Sequence, residues 1–165
     1  AGGPALRVND VIGTAEFLAT QPYVQKGHIG VLGFSHGGLT ILKGAQEAAY
    51  WTAYGIKAAI AFYPYCTPRT DANISLPVLF FAGEKDDWTP AQRCKDMLQT
   101  LKRPNLVVGM FLPDAYHAFD RPGKTQWVQG LGTGGKVTSR KLEYSAQSTK
   151  LAETETRAFF QRFLH

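Results

Sequence analysis

The segment Gly33-Phe34-Ser35-His36-Gly37 has the residue types of a nucleophilic site. This G-x-S-x-G sequence lies between a short apolar run and a stretch with helical patterning, which is the setting of a nucleophile elbow. The two glycines let the backbone turn sharply, so the serine is held in a strained conformation with its hydroxyl exposed. We predict that Ser35 attacks an acyl carbonyl and that the backbone N–H of His36 stabilises the resulting oxyanion. The alternative is a glycine-rich turn with an unreactive serine.

A serine hydroxyl is a weak nucleophile unless a general base and an acid that orients this base accompany it. After a strand-to-helix turn of this kind they follow in the order serine, acid, histidine. Three acids come after the third apolar run of the chain: Glu84, Asp86 and Asp87. We favour Asp86, which lies three residues past Gly83. Asp87 and Glu84 remain weaker alternatives, because solvent-exposed charges are common at such positions.

His117 follows the fourth apolar run and is the predicted general base. Tyr116 and Phe119 flank it and are expected to exclude water from the imidazole. A purely structural role is the alternative. One of the other three histidines precedes an apolar run, one belongs to the turn and one ends the chain; they are His28, His36 and His165.

Aromatic residues near the ends of the apolar runs are candidates for the wall of a substrate pocket. The predicted substrate-binding residues are Tyr63, Trp88 and Phe119, which would enclose an apolar acyl or aryl group. The alternative for each is an ordinary aromatic side chain in the core or at its rim.

Apolar runs and amphipathic stretches alternate along the chain and predict an α/β fold. Runs without polar alternation are typical of strands that are covered on both faces of a parallel sheet. The predicted strands are residues 28–34, 57–63, 77–82 and 106–111, and the predicted helices are 7–20, 37–50, one that starts at Thr89, and 146–164. Ligands of such sheets bind at the carboxyl ends of the strands, which is where Ser35, Asp86 and His117 are placed.

Two segments carry further local signals. Thr89-Pro90-Ala91-Gln92 predicts a helix start with Thr89 as the capping residue and the proline at the first helical position. Residues 121–139 are rich in glycine and polar side chains. They predict a surface excursion, with Trp127 and Leu131 as its anchors.

The composition limits the class of protein. With 165 residues the chain is long enough for one ordinary domain. Its net charge of +5 comes from lysines and arginines that never form runs longer than two, so we predict no nucleic-acid partner. No apolar run approaches the roughly 20 residues of a membrane helix, so we predict no membrane partner. Cys66 and Cys94 are far apart, which favours neither a metal site nor a dithiol motif and leaves open a disulfide or two separate thiols.

Several segments together resemble the dienelactone hydrolase family of α/β-hydrolases. The resemblance covers nearly the whole chain and is carried by residues 29–38 (IGVLGFSHGG), 61–64 (AFYP), 77–83 (PVLFFAG) with Asp86 and Thr89-Pro90, 116–119 (YHAF) and 158–160 (AFF). It implies a three-layer α/β/α domain with a mostly parallel sheet, and hydrolysis of carboxylic esters or lactones without a cofactor. Ser35, Asp86 and His117 fall on the triad positions. The enzymes that give the family its name use a cysteine nucleophile. Because this chain has a serine at that position, it is more similar to the serine esterase branch of the family.

The resemblance also implies that part of the fold lies outside these 165 residues. An α/β-hydrolase has further strands before the first helix, and a loop among them supplies a second oxyanion donor. We therefore expect the C-terminal part of a longer protein, or else a natural half-domain, and a feeble esterase when the 165 residues stand alone. The outer edge of the strand Ile29–Phe34 would be bare, and we expect a second copy or a separate N-terminal segment to cover it.

Proteins of this kind with cysteines near positions 66 and 94 are similar to exported bacterial ones. That resemblance favours a Cys66–Cys94 disulfide and a periplasmic or secreted location over a cytoplasmic one.

The residues and the resemblance together predict a serine hydrolase that acts on a small-molecule ester or lactone. One alternative is a serine peptidase of the prolyl-oligopeptidase type, which has the same elbow and the same order of triad residues. The other is a non-catalytic binding or assembly module with a decayed site.

Overall fold

The computed structural model describes residues 4–131 and 135–165. The helices are α1 (Pro4–Ala19), α2 (His36–Gly44), α3 (Ala48–Ala53), α4 (Ala91–Thr100) and α5 (Ala146–Phe163). The strands are β1 (Ile29–Phe34), β2 (Ile56–Phe62), β3 (Val78–Gly83), β4 (Val107–Leu112), β5 (Gln126–Leu131) and β6 (Val137–Leu142). Within this described part of the chain, no helix has the length and apolar character needed to cross a membrane.

The first four strands form a parallel sheet in the order β1-β2-β3-β4. Nearly all of β2 (IKAAIAF) and all of β3 (VLFFAG) are buried, and both sequences are almost entirely apolar. Such runs belong inside a sheet that is covered on both faces, so the predicted parallel α/β fold is confirmed. At the edge of the sheet, β1 pairs with β2 on one side and with no other strand of the described residues on the other.

Two apolar clusters fill the two faces of this sheet. One contains side chains from α1 to α4, and the other contains side chains from α5 and from the loop that carries His117. Successive strand residues contribute to opposite clusters, as in β3, where Phe80 belongs to the first and Phe81 to the second. The result is the predicted three-layer α/β/α arrangement.

The predicted helix 37–50 is shorter in the structure. The helix α2 ends at Gly44, and a 3-10 turn at Ala45–Glu47 separates it from α3. The indole of Trp51 is fully buried and occupies the space where a Cβ of Gly44 would lie. A side chain at position 44 would therefore clash with the buried Trp51 ring.

The described residues of the predicted surface excursion at 121–139 are mostly exposed, and they include β5 and part of β6, which pair as an antiparallel hairpin. Trp127 is 64% exposed, so it does not anchor this segment as predicted. The side chain of Leu131, the other predicted anchor, lies outside the described residues.

A disulfide joins Cys66, in the loop after β2, to Cys94 in α4. This bond decides the choice that the sequence left open in favour of the disulfide, and both cysteines are fully buried. The same loop is held by the buried carboxylate of Asp71, which accepts hydrogen bonds from Lys43 Nζ (2.8 Å) and Thr67 N (2.7 Å). The loop that leaves the carboxyl end of β2 is therefore fixed covalently and by an ion pair.

Candidate active site

Ser35 lies between β1 and α2 in a conformation that non-glycine residues rarely adopt, with φ 52° and ψ −112°. Its backbone N–H donates to the carbonyl of Phe62 at the end of β2 (2.9 Å). A Cβ added at Gly33 would lie 2.5 Å from the backbone of Gly37, so the turn requires glycine at position 33. Position 37 has open space for a Cβ. Of the two glycines that were predicted to allow the sharp turn, only Gly33 is therefore needed because a side chain would not fit.

The side chains of Ser35, His117 and Asp86 form a hydrogen-bonded chain above the carboxyl ends of β1, β3 and β4. The Nδ1 atom of His117 lies 2.8 Å from Asp86 Oδ2, and its Nε2 atom lies 2.9 Å from Ser35 Oγ. A carboxylate only accepts hydrogen bonds, so Nδ1 carries the proton of the neutral ring. The lone pair of Nε2 is then free to accept from the serine hydroxyl.

The carboxylate of Asp86 is held by the loop that follows β3. Its Oδ1 atom accepts hydrogen bonds from the backbone N–H groups of Trp88 and Thr89, both at 2.8 Å. Its Oδ2 atom lies 2.8 Å from the hydroxyl of Thr89 as well as from His117. The residue is 5% exposed, so its orientation is set by these four contacts rather than by solvent.

The other two acids of this loop lie at the surface. Asp87 is exposed, and its backbone carbonyl accepts a hydrogen bond from Arg140. Glu84 is paired with Lys95 at the surface (2.8 Å). Of the three acids proposed from the sequence, the structure brings Asp86 to the imidazole.

His117 is 3% exposed and packs between aromatic rings. The ring centroids of Tyr63 and Trp88 lie 4.6 Å and 5.0 Å from that of the imidazole. The Tyr63 hydroxyl donates to Asp120 Oδ1 (2.7 Å) on the same loop as His117. Burial and the Asp120 carboxylate raise the pKa of the Tyr63 hydroxyl well above its usual value, so it remains a protonated donor at neutral pH.

Comparison with known proteins identifies the family of the chain. The model of the dienelactone hydrolase family matches residues 5–164. The chain belongs to the dienelactone hydrolase family. No curated protein matches it.

Solved structures show the same fold at low sequence identity. A candidate dienelactone hydrolase from Klebsiella pneumoniae subsp. pneumoniae matches at 21% identity and a TM-score of 0.71, over 98% of this chain and 62% of its own. A dienelactone hydrolase-like promiscuous phosphotriesterase from metagenomic libraries matches at 22% identity and 0.68, over 92% and 59%. The carboxylesterase Cest-2923 from Lactobacillus plantarum matches at 14% and 0.65, over 94% and 67%. The chain thus spans about three fifths of the length of the first two structures.

The predicted substrate-binding aromatics of this dienelactone hydrolase family member differ in exposure. Phe119 is fully buried and packs on Phe62, with ring centroids 5.9 Å apart, so it supports the histidine loop and does not line an open pocket as predicted. Tyr63 is 3% exposed and packs mainly against His117. Trp88 is partly exposed beside the imidazole. Of the three predicted wall residues, Trp88 is therefore the best placed to meet a substrate.

Sequence reasoning missed Phe34, which is 46% exposed directly before Ser35. Its ring lies 5.0 Å from that of Phe62 and 6.2 Å from that of Tyr63. The sequence signal that could have identified it is an aromatic residue at the second position of G-x-S-x-G. This residue ends β1, which lies at the edge of the sheet. Phe34, which is exposed, and Trp88, which is partly exposed, lie next to the candidate nucleophile and base.

The predicted oxyanion donor lies at the start of α2. The first hydrogen bond of this helix joins Leu39 N to Ser35 O (3.0 Å), so the N–H of His36 precedes the helical series. The His36 side chain is exposed. At the opposite end of β1 from Ser35, His28 Nδ1 lies 3.0 Å from the carbonyl of Leu164.

The hairpin of β5 and β6 packs on the outside of the Asp86 loop. A Cβ at Gly130 would lie 2.7 Å from the indole of Trp88, so this glycine lets the ring rest against β5. Arg140 of β6 donates to the carbonyl of Asp87. The candidate site is therefore supported here by a segment that the sequence pattern did not predict to form strands.

Proposed function

We propose that this hydrolase-family protein is a serine hydrolase that cleaves carboxylic esters or lactones through an acyl-enzyme. The observation that carries the proposal is the hydrogen-bonded chain from Ser35 through His117 to Asp86. A serine in a strained turn, an imidazole whose free nitrogen faces it, and a carboxylate that fixes the tautomer are the parts needed for acyl transfer.

In the proposed reaction, Ser35 Oγ attacks the ester carbonyl while Nε2 of His117 takes the hydroxyl proton. The imidazolium that forms is stabilised by Asp86, and the N–H of His36 donates to the oxyanion. Collapse of the tetrahedral intermediate breaks the bond to the leaving alcohol, which receives the proton from Nε2. Water then attacks the acyl-enzyme by the same steps, which releases the acid and restores Ser35.

The non-catalytic alternative is disfavoured by the state of the site. A decayed site has no need for a strained serine, yet Ser35 keeps φ at 52° and both imidazole nitrogens have partners within 2.9 Å. Strained backbone costs about 1–3 kcal/mol and persists where the surroundings enforce it. Here Gly33 makes room for the turn by lacking a Cβ.

We expect a fluorophosphonate probe to label Ser35 in the native protein. Only an activated serine displaces fluoride from such a probe, so the adduct should map to the peptide that contains Ser35. Labelling should be absent in Ser35→Ala and at least about 100-fold slower in His117→Gln, which lacks the general base. Intact-mass and peptide mass spectrometry measure both effects. An adduct elsewhere, or equal rates in native protein and His117→Gln, would contradict the proposal.

A substrate pair separates ester hydrolysis from the peptidase alternative. The same preparation is offered a short-chain nitrophenyl ester and a prolyl-peptide nitroanilide. Faster turnover of the ester supports the proposal, and faster turnover of the anilide supports a peptidase of the prolyl-oligopeptidase type.

We further propose that the 165 residues belong to one α/β-hydrolase domain, and that a strand from outside them covers the edge of β1. Leu32 and Phe34 on this strand are 37% and 46% exposed. Bare edges of apolar strands recruit other strands. The structures in the comparison are longer than this chain although they match nearly all of it, which supports a strand of the same polypeptide as the occupant.

Amide exchange in the native protein tests this proposal. The N–H groups of Ile29 and Ser35 donate to carbonyls in or beside β2. Alternation along a strand then directs three N–H groups to the open edge: those of Gly30, Leu32 and Phe34. We expect these three to exchange as slowly as amides of β2, in a protein that light scattering shows to be monomeric. Fast exchange of these amides would contradict the proposal of a covering strand. Slow exchange that is seen only in a concentration-dependent dimer would show that a second copy covers the edge.

A further inference from the structure

Thr89 lies where three segments of the site meet. Its hydroxyl oxygen is 2.8 Å from Asp86 Oδ2, 3.3 Å from His117 Nδ1 and 3.1 Å from the backbone carbonyl of Tyr63. The residue is 7% exposed, so water does not compete strongly for these contacts. One hydroxyl therefore touches the acid loop, the histidine loop and the end of β2.

The sequence pattern predicted that this hydroxyl caps a helix, and that prediction is wrong. The helix α4 begins at Ala91, its N-cap residue is Pro90, and no side chain caps it. The hydroxyl of Thr89 faces the Asp86–His117 pair instead. The role that sequence reasoning assigned to Thr89 leaves these contacts unexplained.

The two oxygens of Asp86 are held in different ways. Two backbone N–H groups fix Oδ1, whereas Oδ2 contacts the side chains of His117 and Thr89. A hydroxyl has one proton, and Asp86 Oδ2 and the Tyr63 carbonyl are both within reach of it. When the hydroxyl donates its proton to Oδ2, it holds this oxygen in the position that accepts the hydrogen bond from Nδ1. When it is given to Tyr63, a lone pair of the hydroxyl oxygen faces the N–H of His117.

We propose that Thr89 is a positioning residue for the reaction proposed above. With its proton on Asp86 Oδ2, its hydroxyl keeps that oxygen aligned with His117 Nδ1 as the ring gains a proton from Ser35. With its proton on the Tyr63 carbonyl, it links the His117 N–H to the end of β2. The hydroxyl does not touch the reacting atoms, so it acts through Asp86 and His117. The inference rests on the proposed function and adds a fourth side chain to the site.

Thr89→Val keeps the shape of the side chain and removes the hydroxyl, and Thr89→Ser keeps the hydroxyl. We expect Thr89→Val to lower kcat for a short-chain nitrophenyl ester by about 10- to 100-fold, the range for losing a hydrogen bond to a charged group. KM should change by less than about threefold, because the hydroxyl does not face the substrate. Thr89→Ser should retain kcat within about threefold.

Thr52→Val is the matched control, since its hydroxyl bonds to the carbonyls of Ala48 and Ala49 in its own helix, and native kinetics are expected. Thermal melting of each variant shows whether it is folded at the assay temperature. The inference is overturned if folded Thr89→Val keeps native kcat, if its loss lies in KM, or if Thr89→Ser loses as much as Thr89→Val. Ser35→Ala distinguishes failure of the proposed function from failure of the positioning role. If Ser35→Ala stays active, the proposed function is wrong. If Ser35→Ala is inactive and Thr89→Val has native kinetics, only the positioning role is wrong.

Discussion

Ser35→Ala is expected to lower kcat for a short-chain nitrophenyl ester by about 10⁶-fold in the native protein, the loss typical of a triad whose nucleophile is removed. The imidazole then has no hydroxyl to activate, since its Nε2 faces Ser35 Oγ at 2.9 Å. Alanine is strained at φ 52° about as much as serine, so the melting temperature should be nearly unchanged. Steady-state kinetics together with a thermal melt measure both quantities.

The control for this substitution is Ser139→Ala on the exposed strand β6, which should keep native activity. A loss in Ser35→Ala below about tenfold would mean that another group performs the attack, because a nucleophile cannot be removed at so small a cost. A large loss that comes with a lowered melting temperature would point to a folding defect, and fluorophosphonate labelling of the native protein would then decide the matter.

The three residues of the candidate triad could be predicted from the sequence because parallel strands bring their carboxyl ends to one edge of the sheet. Ser35, Asp86 and His117 each follow an apolar run, and the order of the runs along the chain is also the order of the strands in the sheet. Elements of this kind depend on local apolar patterns. Long-range contacts are not needed to recognise them.

Features that depend on how side chains and segments pack against one another were predicted poorly. Thr89 has a sequence context typical of a helix cap, and its contact with His117 arises from a different strand end. The ring of Trp51 packs where a Cβ of Gly44 would lie, next to the break between α2 and α3, and the β5–β6 hairpin is rich in polar and glycine residues. Phe119 has the position of a pocket residue in sequence, yet the helix layer buries it. In each case packing decides the structure, and no local pattern encodes it.

Asp86→Asn is expected to lower kcat by about 10⁴-fold, because the amide enforces the wrong tautomer of His117. Two backbone N–H groups donate to the Oδ1 position, so the amide oxygen must occupy it. The amide NH₂ then takes the place of Oδ2 and faces Nδ1, which has to accept rather than donate. The ring proton moves to Nε2, where it blocks acceptance of the Ser35 proton.

The neighbouring acid supplies the control for this prediction. Asp87→Asn changes an exposed carboxylate one residue away, and its kcat should stay within about twofold of native, as for most surface substitutions. Equal losses in both variants would assign the effect to the net charge of the loop. A large loss in Asp87→Asn alone would transfer the acid role to Asp87, against the four contacts that hold Asp86 beside the imidazole. The predicted pattern, a loss confined to Asp86→Asn, is what a tautomer held by one buried carboxylate requires.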